Sequence, residues 1–132
     1  MNVKKIVETC VYHTDLHAMK DFYTQALGLE FISGEPGRSV FLRAGQSMLL
    51  IFNPEATRSH PKFPPHGASA PSEIHLAFEI PDGEYEAAKE MLLQSEVKIE
   101  RELTWGSARS IYFRDPANNL VELITPGAWP VD

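Results

Sequence analysis

The chain repeats its own pattern, and this internal repeat constrains the fold more than any other feature. Residues 38–43 read R-S-V-F-L-R, and residues 109–114, which lie 71 positions further on, read R-S-I-Y-F-R. In both halves the chain then turns into an apolar segment that ends at a proline, Pro54 or Pro126. Self-similarity of this kind indicates that one structural unit is used twice.

Each half opens with an apolar segment, followed by an aspartate and a stretch with helical periodicity. Asp15 and Asp82 are the predicted helix N-caps, and Gly28 is the predicted left-handed residue that ends the first helix. The pattern predicts strands at 3–12, 29–33, 37–44 and 47–53 around a helix at 16–27, then strands at 73–80, 97–103, 108–114 and 119–125 around a helix at 83–94. The expected fold class is α+β, with two βαβββ modules.

We expect the modules at residues 1–54 and 72–132, the second with a C-terminal tail, joined by a Pro-rich linker at 55–71 into one domain. A half of about sixty residues buries too little surface to leave a sheet face uncovered. The two modules are therefore expected to bury that face against each other or against a second copy of the chain.

The charge balance argues against two classes of partner. Twelve Lys and Arg stand against eighteen Asp and Glu, which gives a net charge of −6, and no basic run is present. Nucleic acid and anionic membrane surfaces are thus disfavoured. The single cysteine forms no intrachain bridge, and neither a signal peptide nor a transmembrane pattern is found, so we expect a cytoplasmic protein.

Three polar residues occupy matching positions in otherwise apolar strands. Glu8 and His75 each stand seven residues before the aspartate of their half, and Leu50 and Glu122 each stand four residues before the closing proline. Carboxylates inside buried strands are costly unless they are paired or bind a metal. An O, N, O set suits Zn, Mn, Ni, Co or Fe(II). A hydrogen-bonded core histidine and solvent-facing glutamates remain the alternatives.

The alternation of side chains along a strand indicates which residues share a face with these positions. The candidates would line an apolar pocket with aromatic edges, suited to a small molecule with one chelating end. Surface arginines and small buried cysteines are common, so these roles also have ordinary structural alternatives. The predicted substrate-binding residues are Cys10, Tyr12, Met48, Leu50, Phe52 and Arg109.

Residues 7–30 and 114–123 resemble the opening and closing motifs of the vicinal oxygen chelate superfamily. This superfamily includes glyoxalase I, fosfomycin-resistance thiol transferases, extradiol dioxygenases, methylmalonyl-CoA epimerase and bleomycin-binding proteins. The resemblance implies modules that curl into half-barrel clefts, commonly in a homodimer with sites built across the subunits.

The resemblance also implies that Glu8, His75 and Glu122 are the metal ligands. Leu50 departs from the glyoxalase I pattern, which has a fourth ligand, Glu, at this position, and Glu8 stands where dioxygenases and fosfomycin-resistance proteins have His. The expected function is a metal-dependent lyase, isomerase or transferase acting on a small oxygen-chelating substrate, with Glu8 also the general base. The alternatives are a non-catalytic, bleomycin-resistance-like binding protein and a ring-cleaving dioxygenase.

Overall fold

The computed structural model describes residues 1–62 and 73–131 and divides the chain into two compact units, 1–72 and 73–132. The first unit contains β1 (Glu8–Tyr12), α1 (Leu16–Asp21) with a π-helical continuation (Phe22–Ala26), β2 (Glu30–Glu35), β3 (Ser39–Ala44), β4 (Ser47–Phe52) and α2 (Pro54–Ser59). The second contains β5 (His75–Glu79), a 3-10 turn (Asp82–Glu84), α3 (Tyr85–Gln94), β6 (Arg101–Trp105), β7 (Ala108–Arg114) and β8 (Leu120–Ile124). Among the described helices, none has the length and apolar character needed to cross a lipid bilayer.

The two units share one topology, which confirms the prediction of paired βαβββ modules. The strand orders are β1-β4-β3-β2 and β5-β8-β7-β6. In each sheet the first and last strands of the module pair in parallel, and the other pairings are antiparallel. Cys10 pairs with Leu50 in the first sheet, and Ala77 pairs with Glu122 at the corresponding place in the second.

The helix-facing side of each sheet forms a hydrophobic core. In the second unit, Ile111, Phe113 and Val121 are completely buried on the side where the Tyr85 hydroxyl of α3 donates to Glu102 of β6 at 2.6 Å. In the first unit, Met19 of α1 and Tyr23 are also completely buried. They accompany the buried strand residues of the same parity, Val11, Val40, Leu42, Leu49 and Ile51.

Only one of the two predicted N-caps is present. The Asp15 carboxylate accepts from the backbone N–H of Ala18 at 3.0 Å, as expected, and Gly28 ends the helical segment with φ of +73°. The prediction for Asp82 is wrong, because residues 82–84 form a 3-10 turn and α3 begins only at Tyr85. From that position the Asp82 carboxylate caps no helix N–H.

Two strand boundaries also differ from expectation. The first strand, expected at 3–12, begins only at Glu8, which pairs in parallel with Met48, the second residue of β4. The strand expected at 97–103 is β6, Arg101–Trp105. Its register is set by the two-residue turn at 106–107, which opposes Trp105 to Ala108.

The segment predicted as a linker starts with a helix. Asn53 caps α2 by accepting from the N–H of Glu55 at 3.1 Å, and Pro54 takes the first turn, where its missing N–H costs nothing. The guanidinium of Arg38 donates to the carbonyl of His60 at 2.7 Å and so holds the end of α2 to the sheet. The rest of the predicted linker, from residue 63 to 71, lies outside the described residues.

The two repeat-related aspartates provide a matched test of the capping geometry. We expect Asp15→Ala to lower the free energy of unfolding by about 1 kcal/mol, because it removes an N-cap hydrogen bond. Asp82→Ala should change it by less than about 0.5 kcal/mol, since that carboxylate caps no helix and its ion pair with Arg109 is exposed. Urea unfolding of both variants checks this, and equal losses would contradict the capping assignment.

Candidate functional site

His75 and Glu122 lie side by side because β5 and β8 pair in parallel. His75 opposes Leu120, and Glu122 opposes Ala77, so both side chains emerge on the sheet face away from α3. His75 Nε2 lies 3.2 Å from Glu122 Oε1. The His75 side chain is half exposed, whereas Glu122 is buried. The first and last strands of the second module thus each contribute one residue to a polar pair.

A polar loop before β8 fixes the alignment of these two strands. The Asp115 carboxylate accepts from the backbone N–H groups of Ala117 and Asn119, each at 2.9 Å, and from the Asn119 amide at 2.8 Å. The Asn119 side-chain oxygen accepts from the N–H of Ile74 at 2.9 Å, directly before β5. The closing motif therefore sets the register that brings His75 to Glu122.

The hydrogen bonding of His75 determines which ring nitrogen is available to a ligand. Nδ1 lies 3.0 Å from the carbonyl oxygen of Leu120, which can only accept, so Nδ1 carries the proton. In the neutral ring, Nε2 then directs a lone pair at Glu122 Oε1. Two lone pairs this close repel each other unless a proton or a cation lies between them. Two ligands on one ion at bonds of about 2.0–2.2 Å lie roughly 3.0–3.5 Å apart, so the pair fits a divalent metal.

The other oxygen of Glu122 is held by two hydroxyls. Oε2 accepts from Ser110 at 2.5 Å and from Tyr112 at 2.8 Å, and Ser110 in turn accepts from the Trp105 indole N–H at 3.0 Å. Burial raises the pKa of Tyr112, and its hydrogen bond to Glu122 raises it further, so the hydroxyl remains a donor. These contacts offset the cost of burying the carboxylate and leave Oε1 directed at His75.

In the first sheet the positions that match Glu122 and Tyr112 are apolar. Leu50 stands at the register of Glu122, and Phe41, which pairs with it, stands at the register of Tyr112. Phe52 lies between two other aromatic rings, 6.4 Å from Tyr12 and 5.7 Å from Phe41. The predicted substrate-binding residues of this sheet, Cys10, Tyr12, Met48, Leu50 and Phe52, therefore share one face.

Glu8 occupies the register of His75, but its surroundings differ from those expected. The sequence pattern places it within a buried strand, yet it is exposed at the start of β1. Burial raises the pKa of Cys10, and the negative charge of Glu8 raises it further. The Cys10 thiol therefore stays protonated near neutral pH, which agrees with its interpretation as a small apolar residue.

The structure corrects the expectation for Arg109. This residue lies on the helix-facing side of β7, whereas Ser110 and Tyr112 point to the opposite face. Its guanidinium lies 4.1 Å from the Tyr85 ring centre and 3.7 Å from carboxylate oxygens of Asp82 and Glu86. Burial and the hydrogen bond to Glu102 raise the pKa of Tyr85 to about 12. Arg109 therefore supports the packing of α3 and does not share the face of Glu122.

Comparison with known proteins assigns this arrangement to a family. The sequence profile described as the Glyoxalase/Bleomycin resistance protein/Dioxygenase superfamily matches residues 5–123. The chain belongs to this superfamily. Its structure is similar to that of a lactoylglutathione lyase from Agrobacterium tumefaciens, with 33% identity and a TM-score of 0.87 over 99% of this chain and 100% of the other.

More distant members of the glyoxalase superfamily share the fold. A glyoxalase/bleomycin resistance protein/dioxygenase from Nocardioides has 24% identity and a TM-score of 0.75, over 100% of this chain and 91% of the other. The fosfomycin resistance protein FosX from Mesorhizobium loti has 20% identity and a TM-score of 0.64, over 96% and 94%. No functionally curated protein matches the sequence.

For this superfamily member, the structure brings together two of the three predicted ligands. His75 and Glu122 form the pair, while Glu8 belongs to the first unit and its role remains a prediction. Within residues 1–62 and 73–131, no group of three or more His, Cys, Asp and Glu side chains is arranged to hold a metal ion. Sequence reasoning missed Ser110, Tyr112 and Trp105, although alternation along β7 from the pairing with Glu122 could have indicated the first two.

The donors to Glu122 can be tested by removing one hydroxyl. In chelator-treated protein we expect Tyr112→Phe to lower the free energy of unfolding by about 1–2 kcal/mol, because the buried carboxylate loses a donor. Tyr12→Phe is the matched control, since among the described residues the Tyr12 hydroxyl has no hydrogen-bond partner. Denaturant unfolding of both variants measures the difference, and equal stabilities would show that the contact with Glu122 contributes nothing.

Proposed function

We propose that this chain is a metal-dependent enzyme of the glyoxalase-like type, acting on a small substrate that presents vicinal oxygens. The observation that carries the proposal is the His75–Glu122 pair, whose facing Nε2 and Oε1 atoms are 3.2 Å apart with the Nδ1 proton held elsewhere. Membership of the superfamily supports it, as does the similarity to a protein named as a lactoylglutathione lyase.

In this proposal, His75 through Nε2 and Glu122 through Oε1 would hold the ion, with Glu8 as the third ligand. A divalent ion with open positions would supply Lewis-acid stabilisation of negative charge on the substrate oxygens. The identity of the ion is open among Zn, Mn, Ni, Co and Fe(II). Leu50, which stands at the register of Glu122, provides no donor atom, so the protein contributes three ligands.

Side chains of this protein would position the ligands and transfer the proton. Ser110 and Tyr112 hold Glu122 Oε2 and so keep Oε1 directed at His75. The Glu8 carboxylate takes a proton from the substrate as general base. The reaction would therefore be that of a lyase, an isomerase or a transferase. In each case Glu8 would take a proton from a substrate carbon or oxygen next to the chelating oxygens.

A second candidate is a non-catalytic protein that binds an apolar or aromatic compound. The aromatic face formed by Tyr12, Phe41 and Phe52 favours it, and the superfamily of this chain includes bleomycin resistance proteins. Binding that is independent of metal would distinguish this function from the enzymatic one. Oxygen consumption with a catechol would instead indicate ring cleavage.

We also propose that the chain forms a homodimer. Val3, Ile6 and Val7, before β1, expose between 57% and 79% of their surface, and β1 is an edge strand of its sheet. Exposed apolar residues beside an open strand edge are typical of an interface between copies. Sedimentation velocity should give the mass of a dimer, and Ile6→Lys should shift the equilibrium towards monomer. A wild-type monomer at high concentration would contradict this proposal.

The metal prediction is tested by elemental analysis of protein purified without a metal-binding tag. Wild-type protein should bind about one divalent ion per chain, and His75→Ala, Glu122→Gln and Glu8→Gln should each weaken binding at least about tenfold, because each removes a donor. Glu79→Gln is the matched control, an exposed carboxylate on the same face of β5. If His75→Ala and Glu122→Gln change neither metal content nor ligand binding, the second candidate is correct.

A further inference from the structure

A cleft lies beside the His75–Glu122 pair, on the same face of the second sheet. Its volume is about 310 Å³, at the lower end of the range for small-molecule sites. Leu103, Trp105, Tyr112 and Leu120 form its apolar and aromatic surface. Tyr112 belongs both to the cleft and to the hydrogen bonds of Glu122, so a molecule in the cleft would also approach the proposed metal ligands.

The charges at the cleft are unusual for a chain with a net charge of −6. Arg101 and Arg114 line it together with one acidic residue, Glu100. Glu100 pairs with Arg114 at 3.3 Å, and Arg114 also donates to the carbonyl of Asn118 at 3.2 Å. In the part of the chain that the structure describes, Arg101 has no acidic partner. Arg101 is thus the arginine at this cleft that has no ion pair with a described acidic side chain.

The sheet register fixes how far this cation stands from the ligand pair. Arg101 of β6 opposes Tyr112 of β7, and Tyr112 opposes Glu122 of β8. The backbones of Arg101 and Glu122 are therefore separated by two strand spacings, about 10 Å, with Tyr112 on the strand between them. A ligand that contacts both ends has to extend past Tyr112, and the rings of Trp105 and Tyr112 in the cleft favour an aromatic body for it.

We propose that the substrate of this site is an aromatic acid with an anionic group at the end remote from its chelating oxygens. The anionic group pairs with the Arg101 guanidinium, the ring lies against Trp105 and Tyr112, and the chelating oxygens approach His75 and Glu122. This assignment rests on the proposed function for the chelating end only. The recognition by Arg101 stands on the cleft itself, and Arg101 acts as a specificity-determining residue.

The test compares two ligands that differ only at the remote end. Mandelate and 4-carboxymandelate share the hydroxy acid and the ring, but only the second carries a further carboxylate. Binding is measured by quenching of Trp105 fluorescence in a Trp129→Phe background, where Trp105 is the single tryptophan left of two, and by calorimetry. We expect 4-carboxymandelate to bind about tenfold more tightly than mandelate, as a charge-assisted pair requires.

Variants of Arg101 then test whether this residue causes the preference for 4-carboxymandelate over mandelate. Arg101→Gln should abolish it without changing metal content, and Arg101→Lys should retain most of it. Lys98→Gln, an exposed residue on the same segment that removes the same charge, should leave it unchanged. An unaltered preference in Arg101→Gln, or an equal loss in Lys98→Gln, would overturn the proposal.

The same measurements separate this proposal from the proposed function. If no metal binds but the carboxylate preference persists in chelator-treated protein and depends on Arg101, the cleft assignment holds and the enzymatic proposal fails. If metal binds through His75 and Glu122 but the two ligands bind equally, the enzymatic proposal holds and the substrate class is wrong.

Discussion

The parallel pairing of the first and last strands in each module is the constraint on which the site depends. It brings His75 and Glu122 together although they stand 47 positions apart in the sequence. The pairing is secured by backbone bonds and by Asn119, whose side chain accepts from the N–H of Ile74 at 2.9 Å. One polar side chain in a loop thus sets the register for two others, which is why the closing motif is rich in Asp and Asn.

The duplicated fold carries a polar site in one sheet and apolar side chains at the matching positions of the other. A buried carboxylate needs donors, and Glu122 has them in Ser110 and Tyr112. At the matching positions of the first sheet, Leu50 pairs with Phe41, which has no hydroxyl. The two apolar residues Leu50 and Phe41 belong together. A glutamate at position 50 would lack the tyrosine hydroxyl that stabilises Glu122 in the second sheet.

The cleft of the second sheet shares residues with the hydrogen bonds that hold Glu122. Trp105 contributes its ring to the cleft and its indole N–H to Ser110, which holds Glu122. A molecule that contacts Trp105 or Tyr112 therefore contacts groups that also orient the carboxylate. In the proposed site, substrate recognition and ligand orientation would share Trp105 and Tyr112, so substitutions of these two residues are expected to affect both.

The residue pattern was enough to predict the duplication, the α+β class, the cap at Asp15 and the equivalence of Glu8 with His75 and of Leu50 with Glu122. These features depend on local propensity and on spacing along the chain, which a repeat makes visible. The family resemblance is likewise a property of the sequence, because the opening and closing motifs that carry it are short and continuous.

The face that each side chain occupies, in contrast, is decided by tertiary structure. Arg109 was expected at the substrate, but it packs against α3, whereas Arg101, which the sequence did not single out, lies at the cleft. Side chains alternate between the two faces of a sheet, so a choice of face depends on the exact register with the neighbouring strand. In the second sheet that register is set by the turn at 106–107 and by the contact between Asn119 and Ile74. Both are interactions between strands, which no pattern within a single strand contains.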